Sequence, residues 1–492
     1  MPTEQDLIAE RKRKVADLRV AGINPYPYRY EPTHHATDVQ KTFSTLAPEE
    51  QSAKTVKVAG RIVGLRRIGK LTFMHVQDQD DKVQVLFKQE TLGEEKYGLL
   101  KLLDVGDWLG AQGEVFKTKT GEITIHVSAY ELLCKSLRPL PEKWHGLQDT
   151  ELRYRYRYLD LITNPETKKT MMLRSKILLA MREFFHEKGF LEVETPVLQT
   201  NYGGANARPF ITHHHDLDMN MYLRICLEIP HKHLLVGGFE KIFEINHVFR
   251  NESMDREHNP EFTEMECYMA YADYHDVMEL TEDLYTYVAK KVLGTTLVNY
   301  QGKEINVAKP WQRITMLDAI KKYAGIDAEQ ESDSELIRNA KEKKVELPAN
   351  ASRGMIIAEL FGQLCEQHLI QPTFVTDHPI ETTPLCKPLR NGMKNYVERF
   401  EAFVNGWEMA NAYSELNDPI LQRQLLEAQE QQRKEGNEEA QPMDEDFVRA
   451  IEQGMPPAGG LGVGVDRMIM LMLNQPSIRD VILFPTMKPE EK

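Results

Sequence analysis

The chain has 492 residues, of which 41% are hydrophobic and 28% charged, and its formal net charge is −14. This length exceeds one ordinary core and predicts two or three domains of a globular protein. The negative charge argues against general affinity for nucleic acid, because phosphate contacts need Lys and Arg. Two basic runs depart from this average, RKRK at 11–14 and RYRYRY at 153–158. Such runs are more typical of solvated helix faces than of binding sites.

Targeting and redox features favour the cytoplasm. No apolar run approaches the ~20 residues that span a bilayer. The first fourteen residues, MPTEQDLIAERKRK, contain no apolar signal core, so the sequence predicts no secretion. Five cysteines are scattered without a CxxC pair: Cys134, Cys226, Cys267, Cys365 and Cys386. We therefore expect free thiols and no structural zinc.

The first predicted element is an amphipathic helix over residues 4–21. Its apolar residues recur at roughly helical spacing: Leu7, Ile8, Val15 and Leu18. Residues 22–54 are rich in Pro, Tyr, His and Thr and are predicted to be a connector. Residues 1–54 therefore form an N-terminal helix and connector in this prediction.

Residues 55–138 have the pattern of a small β-domain. Short β-rich runs are separated by turn-like QDDK, VGD and KTG. Five strands in about 80 residues fit an OB-fold barrel, although a β-domain without a ligand fits the pattern equally well. The following run LRPLPEKWHGL contains two prolines and a glycine and predicts a hinge over residues 139–150.

Residues 151–492 are predicted to form one α+β domain. A helix is expected over 171–188, ending at Gly189, and FLEVETPVL at 190–198 alternates with the period of a strand. Strands and helices are mixed rather than strictly alternating, which favours a mainly antiparallel sheet with flanking helices. The highly charged residues 429–447 predict an exposed helix and loop.

The stretch FRNESMDREHNPEFTEMECY at 249–268 concentrates charge between segments that are predicted to be buried or half-buried. On a strand, Glu264 and Glu266 point to one face. Buried carboxylates are costly unless cations or metal pair with them, and Arg250 and Arg256 carry the guanidinium fork that suits phosphate. The pattern predicts a nucleoside triphosphate held by arginines and joined by Mg²⁺ to carboxylates. A network of structural ion pairs is the alternative.

Three long motifs resemble the signatures of the class II aminoacyl-tRNA synthetases. GFLEVETPVLQTNYGGANARPF (189–210) is similar to motif 1, FRNESMDREHNPEFT (249–263) to motif 2 and GGLGVGVDR (459–467) to motif 3. With LRYRYRYLDL (152–161) and NAYSELNDP (411–419), the chain resembles the bacterial-type lysyl-tRNA synthetases over essentially its full length.

The resemblance implies an N-terminal OB-fold that binds the anticodon and a class II catalytic domain on an antiparallel sheet. It implies a cytoplasmic homodimer that uses ATP and Mg²⁺ to attach L-lysine to tRNA(Lys) through a lysyl-adenylate. An OB-containing relative with altered amino-acid specificity, or a non-catalytic tRNA-binding paralogue, is the alternative reading.

The resemblance also assigns roles to individual residues, with Arg250 and Arg467 as the catalytic pair and Glu401 and Glu408 as the Mg²⁺ ligands. The residues implied for ATP are Arg250, Glu252, Arg256, His258, Phe262, Glu401, Glu408 and Arg467. The residues implied for lysine are Gly204, Glu228, Arg250, Glu266, Tyr268, Asn411, Tyr413 and Glu415. Glu228 and Glu266 would serve the α-amino group, and Tyr268 and Glu415 the ε-ammonium. The residues implied for the anticodon are Arg66, Phe73 and Gln84.

Three positions depart from the family pattern. Ala129 stands where the family commonly has Glu, which predicts either weaker discrimination of the central anticodon base or replacement by Glu131. Pro230, inside LEIPHK, predicts a shifted first turn of the helix that carries Glu228. Trp407 replaces the usual Arg before Glu408 and predicts one positive charge fewer beside the triphosphate.

Overall fold

The computed structural model describes residues 3–141, 147–348, 351–434 and 440–490. Two compact units divide the chain, Met1–Leu147 and Gln148–Lys492. Residues 142–146 of the predicted hinge and residues 435–439 of the predicted charged segment lie outside the described ranges. Within these ranges every helix is too short or too polar to cross a bilayer.

The N-terminal unit is built around a barrel. Its elements are α1 (Glu4–Val20), α2 (Ala36–Thr42), β1 (Gln51–Ile68), β2 (Leu71–Gln77), β3 (Lys82–Lys88), α3 (Gln89–Leu92), α4 (Glu94–Gly98), β4 (Trp108–Lys117) and β5 (Ile123–Cys134). The strands close in the order β1–β2–β3–β5–β4, which confirms the five predicted strands. The predicted connector was incomplete, because it contains α2 and the first residues of β1.

Two residues of the basic run RKRK at 11–14 have structural roles. The predicted helix is confirmed as α1, and Thr3 begins it with a reciprocal cap to Asp6. The buried Arg11 donates to the carbonyl of Val105 at 2.9 Å, and Lys14 pairs with Asp104 at 2.6 Å. Two of the four basic side chains therefore hold α1 in place and are not part of a solvated face.

The second unit contains an eight-stranded sheet with helices around it. Its helices are α5 (Thr150–Arg155), α6 (Arg157–Thr163), α7 (Pro165–Glu187), α8 (Glu228–Val236), α9 (Tyr274–Leu293), α10 (Met316–Ala319), α11 (Asp333–Glu342), α12 (Arg353–Leu364), α13 (Pro419–Lys434), α14 (Glu445–Glu452), α15 (Val465–Met472) and α16 (Ile478–Val481). Its strands are β6 (Leu191–Glu192), β7 (Leu198–Gln199), β8 (Ile211–His214), β9 (Met219–Leu223), β10 (Lys241–Phe249), β11 (Glu261–Ala270), β12 (Leu297–Tyr300), β13 (Lys303–Asn306), β14 (Gln312–Thr315), β15 (Thr373–Pro379), β16 (Tyr396–Val404), β17 (Trp407–Ser414) and β18 (Ala458–Gly464).

The large sheet has the strand order β14–β15–β16–β17–β18–β11–β10–β6. Only its outermost pairs, β14–β15 and β6–β10, are parallel, so the prediction of a mainly antiparallel sheet is confirmed. Helices α7, α9 and α15 pack on one face and build the main core with it. Met265 and Cys267 of β11 enter this core, so Glu264 and Glu266 point to the opposite face, as the alternation predicted.

Two predicted boundaries in this unit were wrong. The helix predicted from 171 begins six residues earlier, with Pro165 in its first turn, where a missing N–H costs nothing. The strand predicted over FLEVETPVL is reduced to the two-residue strands β6 and β7. Pro196 lies between them and cannot donate a hydrogen bond to a neighbouring strand.

Candidate active site

A cavity of about 370 Å³ lies over the sheet face opposite the main core. Strands β11, β16, β17 and β18 supply its floor, and α8 and the loop 250–260 supply its walls. The residues predicted for ATP and lysine that line it are Gly204, Glu228, Arg250, Glu252, His258, Phe262, Glu266, Tyr268, Glu401, Glu408, Asn411, Tyr413, Glu415 and Arg467. Arg256 is exposed on the loop and is not among the lining residues.

Glycines of β18 keep the middle of this floor open. The strand lies between β11 and β17, and its alternate glycines are paired with the polar side chains of both neighbours. The pairs are Glu264–Gly464, Glu266–Gly462 and Tyr268–Gly460 on one side, and Asn411–Gly462 and Tyr413–Gly460 on the other. A Cβ at Gly460 would lie 2.0 Å from Oε1 of Glu415. Any side chain there would displace Glu415, so the glycine spacing is a requirement of the cavity.

Arginine and aromatic groups meet at one end of the cavity. The guanidinium of Arg250 lies 5.1 Å from the ring centroid of Phe262, and its Nη2 is 3.8 Å from Oε1 of Glu264. Arg467 donates from Nη1 to the carbonyl of Glu408 at 2.7 Å and lies 3.1 Å from Nε2 of His258. These half-exposed groups offer guanidinium donors and an aromatic face, which suit a nucleotide.

Asp466 fixes the segment that carries Arg467. Its Oδ2 accepts the backbone N–H of Thr263 at 2.7 Å, and its Oδ1 pairs with Arg174 of α7. The start of α15 is therefore tied to β11 on one side and to α7 on the other. This places Arg467 at the edge of the cavity next to the loop 250–260.

The predicted metal ligands Glu401 and Glu408 lie on adjacent strands. Glu408 and Asn411 are three residues apart, so on a regular strand they would face opposite sides. A bulge that leaves Met409 unpaired restores a common face. Asn411 then donates to Oε1 of Glu408 at 3.4 Å. Burial and the neighbouring charge of Glu401 raise the pKa of Glu408.

The sequence analysis missed Arg399 in this region. Its Nη2 donates to Oε1 of Glu401 at 2.6 Å, and its Nε donates to Asn411 at 3.1 Å. Trp407 faces the core, where its ring packs 5.0 Å from that of Tyr300. Arg399 therefore supplies a cation on the cavity side although position 407 has none. The signal was present, because Arg399 and Glu401 are two residues apart on a strand.

The other end of the cavity is rich in buried carboxylates. Glu266 accepts the backbone N–H of Leu227 at 2.7 Å and the hydroxyl of Tyr268 at 2.8 Å. Glu228 accepts the hydroxyl of Tyr413 at 2.5 Å. The side chain of Glu415 is only 1% exposed. Glu266 and Glu228 are thus each held by a hydrogen bond from a neighbouring element.

Gly204 closes this end with backbone rather than side chain. Its φ of +88° is in the left-handed region, and a Cβ would lie 2.3 Å from Sγ of Cys226. Its N–H donates to Oε1 of Gln441 at 3.1 Å, a contact the sequence analysis did not anticipate.

Burial dominates the electrostatics of these acids. It raises the pKa of Glu264, Glu266 and Glu415, and mutual repulsion among the glutamates raises them further. Among the described residues, Oε2 of Glu264 and Oε1 of Glu415 are buried and accept no hydrogen bond. Oxygens of this kind are costly to bury alone, so this end of the cavity is suited to a cationic ligand.

Lys232, which the sequence analysis assigned no role, lies behind the cavity wall. It is one helical turn after Glu228, it is fully buried, and its Nζ is 2.5 Å from Oε1 of Glu228. The same Nζ is 2.6 Å from Oε2 of Glu415. The spacing of four residues could have revealed the first pair. The second pair joins residues far apart in the chain and needed the fold.

A buried network supports helix α8 beneath the acids. Glu244 pairs with Arg224 at 2.8 Å and with Nε2 of His231 at 3.2 Å, and it accepts the hydroxyl of Thr195 at 2.9 Å. Burial opposes ionisation of Glu244, but these partners lower its pKa to about 2. Pro230 is the third residue of α8, where the N–H has no helical acceptor in any case. The helix therefore still begins at Glu228.

The barrel of the first unit carries Arg66 and Phe73, two of the predicted anticodon residues, on its outer face. Phe73 is half-buried and alternates with the core-facing Thr72 and Met74. The guanidinium of the exposed Arg66 lies 5.4 Å from the ring centroid of Phe73. Phe73 is therefore not a core aromatic, and its ring can be reached from outside the barrel.

Gln84 and Ala129 are two further barrel positions that the sequence analysis linked to the anticodon. Gln84 is buried and donates to the hydroxyl of Thr124 at 2.8 Å. Ala129 is exposed opposite Gln112 on β4, and Glu131 lies two residues along, opposite Gly110. The roles of these residues toward an anticodon stay predictions.

Residues 149–488 match the family described as class II tRNA synthetases (D, K and N), and residues 56–133 match the OB-fold nucleic acid binding domain. A lysine–tRNA ligase of Thermoanaerobacter sp. (strain X514) is 54% identical over 99% of this chain and 96% of the relative. Similar enzymes from Carboxydothermus hydrogenoformans and Moorella thermoacetica, both named lysine–tRNA ligase, are 52% and 50% identical. The alignment with the Carboxydothermus enzyme covers 99% of this chain and 99% of that relative, and the alignment with the Moorella enzyme covers 100% of both.

Proposed function

The chain belongs to the class II tRNA synthetases of the D, K and N group, and from this premise we propose that it is an ATP-dependent ligase that attaches L-lysine to tRNA(Lys). Among the amino acids of that group, lysine alone brings a second ammonium. The observation that carries the choice is Oε1 of Glu415, a buried carboxylate oxygen that accepts no hydrogen bond from the described residues. It lies in the cavity that holds Arg250 and Arg467 at its other end.

The acids divide between the two ammonium groups of the substrate. Glu228 and Glu266 serve the α-ammonium, with the backbone of Gly204 beside them. Glu415 and Tyr268 serve the ε-ammonium, and Asn411 and Tyr413 line the space between. An aspartate would bring its own carboxylate against Glu415, which repels it, and an asparagine would leave that buried charge unpaired.

The reaction follows from holding two substrates in one cavity. The lysine carboxylate attacks the α-phosphate of ATP, forming lysyl-adenylate and releasing pyrophosphate. The terminal ribose of the tRNA then takes the lysyl group and releases AMP. Arg250 neutralises the α-phosphate and the attacking carboxylate, and Arg467 covers the adenine opposite Phe262. Glu252 reads the adenine edge, and Arg256 and His258 contact the outer phosphates. Catalysis is by positioning and charge neutralisation, without a protein nucleophile.

Glu401 and Glu408 are suited to hold Mg²⁺. Their carboxylates lie on one face, and burial beside each other makes a divalent cation favourable there. When bound, Mg²⁺ supplies charge neutralisation for the phosphates. Arg399 and Asn411 keep the two carboxylates in place.

The barrel is proposed to bind the anticodon of tRNA(Lys). Phe73 offers a ring for base stacking, Arg66 a guanidinium and Gln84 an amide. Replacing Phe73 with Ala should raise the KM for tRNA by about tenfold, because one stacked base contributes about 1–3 kcal/mol. ATP–pyrophosphate exchange without tRNA should be unchanged, and an equal loss in both assays would contradict the assignment.

We also propose a cytoplasmic homodimer. Apolar side chains near the motif 1 segment are exposed in the single chain, including Leu179, Leu198 and Ile211. We infer that these side chains form part of the interface between subunits. Sedimentation equilibrium that gives twice the mass of 56.8 kDa would support the dimer, and the monomer mass at micromolar concentration would exclude it.

The function is tested by ATP–pyrophosphate exchange with each of the twenty amino acids and Mg²⁺. Exchange with lysine and with no other amino acid is the expected result. Exchange with a different amino acid would mean an altered specificity. No exchange from folded protein would favour a tRNA-binding protein without catalysis.

A further inference from the structure

Lys232 is a buried cation set among the carboxylates of the amino-acid pocket, yet it does not line the cavity. Its Nζ bridges Oε1 of Glu228 and Oε2 of Glu415. The rings of Tyr413 and Phe447 lie 5.6 and 5.7 Å from the same atom. Its ammonium therefore has two carboxylates and two aromatic faces around it, all on other turns or other elements.

The two oxygens of Glu415 face different surroundings. Oε2 contacts Lys232, whereas Oε1 is the atom that a Cβ at Gly460 would strike, on the cavity side. Neither oxygen accepts a hydrogen bond of regular geometry from the described residues, so the ion pair of Oε2 with Lys232 is what distinguishes them. The carboxylate is thus fixed from behind and presents one oxygen to the cavity.

We propose that Lys232 is a positioning residue that sets the specificity of this pocket. Its ammonium holds Glu415 as an oriented carboxylate, so that Oε1 of Glu415 receives the side-chain ammonium of the amino acid. The inference rests on the proposed function, because it names the substrate as the cation that Glu415 receives. Lys232 acts through Glu415 and does not touch the substrate.

The charged groups around Glu415 determine its pKa and explain the role of Lys232. Burial raises the pKa of Glu415, and the Lys232 ammonium opposes that rise. Six ionisable groups face Glu415 within the described structure. They are Glu228 and Lys232 on α8, Tyr268 on β11, Tyr413 on β17, and Cys386 and Lys387 on the segment before β16. Lys232 is the cation in contact with Glu415. Without its charge, the pKa of Glu415 rises further, because a close opposite charge favours the ionised carboxylate.

The ionisation of Glu415 makes lysine binding depend on pH. Glu415 attracts an ammonium when ionised, so affinity for lysine falls as pH falls through the pKa of Glu415. The pKa of Glu415 is about 8 with Lys232 beside it, so a higher pKa moves this loss to more alkaline pH and leaves less of Glu415 ionised at pH 7. In Lys232→Met, which keeps a side chain of similar volume, the KM for lysine in ATP–pyrophosphate exchange should rise at least about tenfold at pH 7. The ratio to wild type should shrink as pH is raised to 9.

Three readouts separate positioning from a general loss of structure. The KM for ATP and the kcat at saturating lysine should stay within about threefold of wild type, because the nucleotide end lacks contact with Lys232. Lys232→Arg keeps the charge and should recover much of the lysine affinity. Lys387→Met removes a lysine that lowers the pKa of Glu415 but makes no ion pair to it in the described structure, and should raise the lysine KM by much less than Lys232→Met does.

A double variant keeps the test decisive if Lys232→Met alone does not fold. Lys232→Met combined with Glu415→Gln removes both charges, which avoids leaving Glu415 as an unpaired buried anion. Its lysine kcat/KM should equal that of Glu415→Gln within about threefold, because Lys232 acts through Glu415. A further tenfold loss would overturn the proposal.

The same measurements distinguish failure of the role of Lys232 from failure of the proposed function. If wild type exchanges with lysine but Lys232→Met has the same lysine KM and pH profile, the role of Lys232 is wrong and the proposed function stands. If wild type does not exchange with lysine at all, the proposed function falls, and the role of Lys232 falls with it.

Discussion

Arg250 and His258 of the nucleotide end lie on a loop and are partly exposed, whereas Glu228 and Glu415 of the amino-acid end lie on a helix and next to a strand and are buried. The side chain of Arg250 is 30% exposed and that of His258 50%, against 5% for Glu228 and 1% for Glu415. The nucleotide end must order its side chains when ATP binds, which costs conformational entropy. The amino-acid end is ordered beforehand by Lys232, Tyr413 and Tyr268. Discrimination between substrates is therefore concentrated at the buried end, where an unpaired group is most costly.

The largest effect is expected at Arg250, the guanidinium closest to the junction of the two ends. Arg250→Ala should lower the rate of adenylate formation by about 10³-fold, because a positioned guanidinium on a reacting phosphate contributes on that scale. Binding of tRNA, measured by filter retention, should be largely unchanged. Wild-type exchange activity in this variant would mean that the loop 250–260 is not the phosphate site.

The next effect concerns the network under the amino-acid end. The pKa of Glu244 is about 2 in the folded protein, below its ordinary value, so its ionisation stabilises the fold above pH 4.5 and this stabilisation is lost as pH falls toward 2. Glu244→Gln should lower the free energy of unfolding by about 3 kcal/mol at pH 7. Urea unfolding at several pH values should show the difference from wild type shrinking below pH 4.5.

Glu192→Gln is the control for Glu244. Glu192 pairs with Arg182 in a partly exposed ion pair, and its loss should cost about 0.5 kcal/mol or less. If the two variants lose equal stability, the buried network does not hold the amino-acid end as described.

A smaller effect, confined to one substrate, is expected at Glu415. Glu415→Gln should lower kcat/KM for lysine by about 100-fold, since removing one partner of a buried charge pair costs about 2–5 kcal/mol. The KM for ATP should change little, because ATP binds at the other end. Equal increases in both KM values would show that the two ends are not independent.

The smallest effect is expected at Arg256, which is exposed and does not line the cavity. Arg256→Ala should raise the KM for ATP by about threefold, because an exposed charge contact contributes about 0–1 kcal/mol. Steady-state kinetics of Arg256→Ala and Arg250→Ala, measured side by side, compare two arginines on one loop. A loss as large as that of Arg250→Ala would mean that the loop closes on ATP and buries Arg256.

Local sequence patterns were sufficient for many elements of this protein. Alternation placed Glu264 and Glu266 on one face of β11, because successive side chains of a strand point to opposite sides. Five short β-rich runs predicted the barrel. The three motifs identified the family, and the residues that the resemblance assigned to ATP or lysine line the cavity, with the exception of Arg256. The motifs also selected Arg256, which the fold leaves on the surface, because a motif records residue type and spacing but not the path of a loop.

Tertiary structure decided the contacts that depend on distant pairing. The bulge at Met409 brings Glu408 to the face of Asn411, against the alternation of a regular strand. Pro196 reduced a predicted strand to two short pieces. Lys232 and Glu415 are 183 residues apart in the chain, and only the packing of α8 on the sheet brings them together. The sequence by itself determined the local periodicities and the set of polar groups, because these depend on neighbouring residues. The fold decided which of those groups became buried and paired, because burial and ion pairing depend on elements that are distant in the chain.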